Sequence, residues 1–206
     1  MPKKYSSEEG YDKYASFYDK KLKFLGSFED GAIENLVSDL SGKSMLDVGS
    51  GTGRVLDMLK DKNMLAKAGS VHALDISGEM LKILKRKHPK VEAEKGDVQN
   101  MPYKDESFDI VVAAFVIVHL KSLEEFFDEV WRVLKPNGVF ILTNINQRKA
   151  PKLLTEQGEE LVIESHYNLP KHVVKDLENS FFKVEANIFR RSGDVWTNQI
   201  IKAVKI

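Results

Sequence analysis

The chain has 206 residues, 42% of them hydrophobic and 30% charged, which fits one globular domain large enough to bury its own core. Its 31 Lys and Arg balance 31 Asp and Glu, and it has no cysteine. This excludes a domain-wide basic surface for nucleic acid, a disulfide framework and a thiolate metal centre, and no other metal site is expected. The opening MPKKYSSEEG lacks the apolar core of a signal peptide, and the longest apolar run, 110–118, is far short of the ~18 residues of a membrane span. The expectation is a cytoplasmic protein of one domain, 1–206, with no membrane and no nucleic-acid partner, as monomer or homodimer.

In chain order, Ser6 and Glu9 have capping-box spacing ahead of a helical stripe of Tyr11, Tyr14, Ala15, Tyr18, Leu22 and Leu25. A second helix is expected from about Ser27, with Ala32, Ile33, Leu36, Val37 and Leu40 on its apolar face and Gly42 beyond it. The pattern then changes. SMLDVG reads as a short strand, a glycine run follows, and RVLDMLKDK reads as a helix. VHALDI (71–76) is a second strand, and Ser77 caps the helix 77–88, whose basic last turn suits the helix dipole. VEAEKGD (91–97) is a third strand and FDIVVAAFVIV (108–118) a fourth. Ser122 and Glu125 open a further helix, PNG turns the chain, and VFILTNI is a fifth strand.

Alternating strands and helices predict an open, doubly wound parallel sheet with helices on both faces. The end departs from this. FKVEANIFRRS and VWTNQIIKAVKI are separated only by Gly193-Asp194, so they form an antiparallel hairpin.

The stretch MLDVGSGTGR (45–54) carries the chemistry. Gly49, Gly51 and Gly53 follow the first strand at every second position, where backbone can approach a ligand closely. A dinucleotide loop needs a glycine at the position held by Arg54, and a P-loop needs Gly-Lys-Ser/Thr; both are missing. The acid that precedes the loop, Asp47, would repel a pyrophosphate and suits an ammonium group. Asp75 and Asp97 end the second and third strands. The first can accept both hydroxyls of an unphosphorylated ribose, the second an exocyclic amine such as that of adenine. Each acid alone could equally be a helix cap or a solvated turn.

These stretches, with GDVQNMPY, FDIVVAAFVIVHL and RVLKPNGVFILTNI, resemble the class I S-adenosylmethionine-dependent methyltransferases in order and spacing across 45–146. YDKYASFYD resembles the small-molecule branch, which includes quinone C-methyltransferases and malonyl-carrier-protein O-methyltransferases. The resemblance implies a Rossmann-like seven-stranded sheet with an antiparallel C-terminal strand, S-adenosyl-L-methionine as cofactor and S-adenosyl-L-homocysteine as product. By the same resemblance, Asp47, Gly49, Ser50, Gly51 and Gly53 hold the methionine moiety. Asp75 takes the ribose, Ile76 lies against adenine, Asp97 and Val98 recognise its edge, and Ala114 faces the sulfonium. Arg54 either reaches the methionine carboxylate or is a solvated helix residue.

The segment 1–26 is expected to form a helical lid, and 147–169 the connection that shapes the acceptor site. Acceptor-pocket candidates are Tyr11, Tyr14, Tyr18, His119, His166 and Tyr167. Tyr18 and His119 are the catalytic candidates, against packing and structural hydrogen bonding as alternatives. Arg148, Lys149 and Lys152 form a basic cluster that either meets an acidic substrate or is a solvated loop. The Asn/Asp-Pro-Pro-aromatic motif of nucleic-acid amino-methylation does not follow the fourth strand. The expected reaction is in-line methyl transfer to a small molecule, with a protein or RNA acceptor, or a non-catalytic binding protein, as alternatives.

Overall fold

The computed structural model describes residues 3–155 and 158–206. The first elements are strand β1 (Lys3–Tyr5), helix α1 (Ser7–Tyr18), a 3-10 turn over Asp19–Lys21, and short helices α2 (Leu22–Gly26) and α3 (Ala32–Val37). The parallel region follows as β2 (Ser44–Val48), α4 (Arg54–Asp61), β3 (Ser70–Asp75), α5 (Gly78–Lys87), β4 (Glu92–Lys95), β5 (Phe108–Ala113), α6 (Glu124–Val133) and β6 (Leu134–Ile145). The chain closes with β7 (Lys152–Leu154), β8 (Glu160–Ile163), α7 (Pro170–Asn179), β9 (Phe182–Ser192) and β10 (Val195–Lys205).

Seven strands form one sheet in the order β4-β3-β2-β5-β6-β10-β9. The first five pair in parallel, and β10 lies antiparallel to both β6 and β9. The expected sheet and its antiparallel C-terminal strand are both present. Alternate residues of the central strands feed opposite cores. Met45, Ile110, Val112 and Ile141 pack with Ile33, Val55 and Leu59 on one side. Leu46, Val111, Phe140 and Leu142 pack with Phe126, Phe127 and Val130 on the other. Burial on both faces is why these strands read as continuous apolar runs rather than alternating ones.

Several local expectations change. The helix expected from Ser27 begins only at Ala32, after Gly31 in the left-handed region, because 27–31 fold as turns around a buried Glu29. The Ser6 and Ser77 caps form, accepting from the Glu9 and Met80 amides. Ser122 provides no such cap: α6 starts after Leu123 without a side-chain hydrogen bond. The fourth strand stops at Ala113, and Ile117–His119 is a 3-10 turn. His119 therefore lies past the strand rather than at its end. PNG lies within β6, with Asn137 at φ 61, since α6 leads straight into the strand.

A second, three-stranded sheet has the order β1-β8-β7. It draws the start of the expected lid and the connection 147–169 into one flap, with Tyr5, Leu161 and Ile163 as its buried centre. Glu156 and Gln157 of that connection lie outside the described residues, as do Met1 and Pro2. Among the described residues, no helix is long and apolar enough to cross a membrane.

Candidate active site

The strand order reverses direction between β2 and β5, and a crevice opens beyond their carboxyl ends. The glycine loop leaves β2 there and Ala114-Phe115 leaves β5. Together with β3, β4 and α1 they enclose a cavity of ≈ 280 Å³. Its wall includes Gly49, Gly51, Asp75, Ile76, Asp97, Val98 and Ala114 from the expected cofactor set, with Tyr18 and His119. Asp47, Ser50 and Gly53 are buried and do not line the cavity.

Asp75 is the hub of the crevice. Its carboxylate accepts from the amides of Gly51 at 2.7 Å and Ser77 at 2.8 Å. Burial nevertheless pushes its pKa up to about 6, against these two bonds. Each carboxylate oxygen can accept more than one hydrogen bond, so capacity for hydroxyl donors remains. Asp97 is exposed at the cavity edge and accepts from the Gln99 amide at 2.9 Å, a local turn that fixes its direction.

Asp47 sits on the α4 face of β2, 1% exposed, and its Oδ2 has no hydrogen-bond partner. Burial pushes it up to about 8; the Arg54 charge opposes this, while Asp75 and Glu29 reinforce it. Gly51 has φ +54, and a Cβ built on it would meet nothing nearer than Tyr18 Cε1 at 4.0 Å. A side chain there would fill the cavity. An orphaned buried carboxylate and an open glycine cradle fit a cationic nucleoside such as S-adenosylmethionine. Gly49 differs: its Cβ would strike Val116 Cγ2 at 2.5 Å, so packing also requires the glycine.

Arg54 is neither solvated nor free. It is 6% exposed and paired with the fully buried Glu29 through both nitrogens, one bond measuring 2.9 Å. Its guanidinium lies 4.7 Å from the Phe115 ring centroid. Glu29 already holds the planar fork that the methionine carboxylate would need.

The N-terminal segment covers the crevice. Asp12 accepts from Ser77 Oγ at 2.6 Å and from the Glu79 amide, and Asp19 accepts from Thr52 Oγ1 at 2.5 Å. Tyr14 and Ala15 turn inward, while Tyr11 and Tyr18 line the cavity. Tyr18 is a wall residue rather than a purely packed one, and burial raises its pKa.

A second cavity of ≈ 710 Å³ adjoins the first. Tyr11, Tyr18, Phe115 and His119 line both. The larger one is walled by further aromatics, among them Tyr14, Phe28 and Trp196, and Lys21, Arg148, Lys149 and Lys152 also border it. Among the described residues, no carboxylate side chain lines it. His166 and Tyr167 are outside both cavities. The His166 amide donates to the Val118 carbonyl at 2.7 Å, and Tyr167 lies beneath Arg148. Sequence reasoning passed over Phe115 and Trp196. Phe115, at φ 63, carried a weak cue in following Ala114 at a strand end, whereas Trp196 arrives from the distant C-terminal hairpin.

Residues 46–142 match the family model described as a methyltransferase domain. The chain is 37% identical over 143 residues to an uncharacterized protein of Methanocaldococcus jannaschii, covering 68% of this chain and 51% of that one. It is 37% identical over 94 residues to a demethylmenaquinone methyltransferase of Chlorobaculum parvum, covering 46% of this chain and 37% of that one. The aligned part thus spans about half or less of these curated relatives. The fold matches an S-adenosylmethionine-dependent methyltransferase structure from Mesorhizobium loti with a TM-score of 0.70 at 16% identity, over 86% of this chain and 98% of that one. The motif order, the sheet and the crevice agree with the match of residues 46–142 to a methyltransferase domain.

Proposed function

We propose that the protein transfers a methyl group from S-adenosylmethionine to a small-molecule acceptor. The observation that carries this reading is the pair of adjoining cavities with one shared wall, Tyr11, Tyr18, Phe115 and His119. The smaller cavity is lined by acids and glycines suited to a cationic nucleoside. The larger is concave, rich in aromatic rings and of a size that encloses a small molecule rather than a chain segment.

Bound S-adenosylmethionine supplies a methyl group on a positively charged sulfur. Asp75 holds the ribose hydroxyls, Asp97 and Val98 read the adenine edge, and Ile76 covers its face. Asp47, beneath the loop, offsets the ammonium. Ala114 and Phe115 border the reacting centre, and α1 excludes water from it. Tyr18 aligns the two reactants at the shared wall; holding both reactants in one site can supply up to ~7–11 kcal/mol of barrier reduction, of which Tyr18 contributes a part.

Calorimetry with S-adenosylhomocysteine tests donor binding, and methyl consumption across metabolite fractions, with product mass, tests transfer. Tyr18→Phe removes only a hydroxyl and should slow turnover about tenfold, or 1.4 kcal/mol in the barrier. A protein that binds no S-adenosylhomocysteine would end this reading, and methylation confined to protein or RNA fractions would overturn the acceptor class.

A further inference from the structure

Tyr11 and His119 lie at the wall shared by the two cavities and form a relay whose direction is fixed by the fold. His119 Nδ1 lies 2.8 Å from the backbone carbonyl of Glu164. A carbonyl only accepts, so Nδ1 carries the proton. In the neutral ring Nε2 then holds a lone pair, and the Tyr11 hydroxyl, 2.7 Å away, donates to it. Burial lowers the His119 pKa and so favours the neutral ring; nearby His166 acts in the same direction.

The carbonyl that sets this tautomer belongs to the flap. The Glu164 amide donates to the Tyr5 carbonyl at 3.0 Å, continuing the β1–β8 pairing. The His166 amide and the Asn168 side chain hold the Val118 and Ile117 carbonyls of the turn that carries His119. His119 is thus oriented from two sides before any ligand enters. Such fixing is what a positioned base needs and what a merely packed histidine does not.

We infer that Tyr11 and His119 act together as the proton acceptor for a planar aromatic hydroxyl bound in the larger cavity. This rests on the methyltransferase reading and names its substrate class. The acceptor oxygen bonds to the methyl carbon as the sulfur–carbon bond breaks, with that electron pair going to sulfur. The hydroxyl proton passes to the Tyr11 oxygen as the Tyr11 proton passes to His119 Nε2, leaving an imidazolium that later returns its proton to water. A neutral amine acceptor attacks with its own lone pair and needs no base beforehand; a phenolic hydroxyl does. The walls agree: Tyr14, Phe17, Phe28, Phe115 and Trp196 offer ring faces and edges to a flat apolar body.

The test uses naphthol and its methyl ether as probes, titrated into the protein saturated with S-adenosylhomocysteine. The ether keeps the ring and loses the proton. The wild-type chain should bind naphthol at least about tenfold more tightly, 1.4 kcal/mol, and His119→Gln and Tyr11→Phe should each abolish that preference. Nitrogen-resolved NMR of His119 should show Nδ1–H with a bare Nε2 at neutral pH, and the ring should stay neutral when naphthol binds, because the proton moves only as the methyl group is transferred. Equal binding of the two probes, no binding of either, a preference kept in His119→Gln, or a proton found on Nε2 would each overturn the inference. Failure of S-adenosylhomocysteine to bind the wild-type chain would instead remove the reading on which it rests.

Discussion

The Asp75 carboxylate accepts from the Gly51 amide at 2.7 Å, which joins the end of the second parallel strand to the centre of the glycine loop. The two stretches that point most strongly to a nucleoside are therefore one mechanical unit. The same carboxylate that takes ribose hydroxyls also holds the loop in its receptive shape.

Asp75→Ala should accordingly do two things. S-adenosylhomocysteine affinity should fall by ~2–4 kcal/mol, because charge-assisted hydrogen bonds are lost. The melting temperature should also drop, because the Gly51 and Ser77 amides lose their acceptor. Asp75→Asn retains one acceptor and should lie between. Calorimetry and thermal unfolding on the same samples read both, and unchanged affinity in a folded Asp75→Ala protein would remove Asp75 from the ribose site.

Asp47 predicts a pH slope. Its pKa is about 8 when folded and 3.8 in the unfolded chain, so the native state binds its proton more tightly. Stability from this group is fully present below about pH 4 and is lost as pH rises through about 8. Asp75, at about 6, adds a smaller slope of the same sign. The ligand-free melting temperature should fall across this window, and Asp47→Asn should flatten most of the fall. A cationic ligand favours the carboxylate, so S-adenosylmethionine binding at neutral pH should release a proton. Calorimetry in buffers of different ionisation enthalpy checks this, and a buffer-independent enthalpy would separate Asp47 from the ammonium.

Gly51→Ala combines two effects that Gly31→Ala separates. Both glycines are left-handed, at φ +54 and +74, and neither Cβ would strike a neighbour. Each should lose ~1–2 kcal/mol of stability from backbone strain. Only Gly51 lines the smaller cavity, so only Gly51→Ala should also lose S-adenosylhomocysteine binding. Equal affinities in the two variants would reduce the loop to a tight turn.

Asp19 and Thr52 test whether the N-terminal segment gates the site. Their hydrogen bond ties that segment directly to the glycine loop. Asp19→Ala should speed S-adenosylhomocysteine release with little change in melting temperature, as expected for a lid. Thr52→Val should do the same, and the double variant should add nothing further. A large loss of stability from either single change would make the segment part of the core.

Glu29 and Arg54 are both buried, and removing one partner leaves an uncompensated charge. Glu29→Ala should lose ~3–5 kcal/mol in urea unfolding, and the paired change Glu29→Met with Arg54→Met should regain much of it. A Glu29→Ala protein as stable as wild type would show that water reaches this pair.

The amino-acid sequence by itself determined the parallel sheet, its antiparallel end and the positions of Asp75, Asp97 and the glycine loop. These depend on local periodicity and on where a strand must end, which neighbouring residues specify. Three things were decided only by tertiary structure. Arg54 turned out to be neutralised by Glu29, 25 residues earlier, because the cost of burying a guanidinium was met by whichever carboxylate the fold delivered. The flap arose because β1 and β8, far apart in the chain, each left an unpaired edge that the other could satisfy. The Tyr11–His119 relay joins residues 108 apart, oriented by a carbonyl a further 45 residues on. A hydrogen bond needs its partners within about 3 Å, and sequence spacing says nothing about such distances once the chain has crossed the sheet several times.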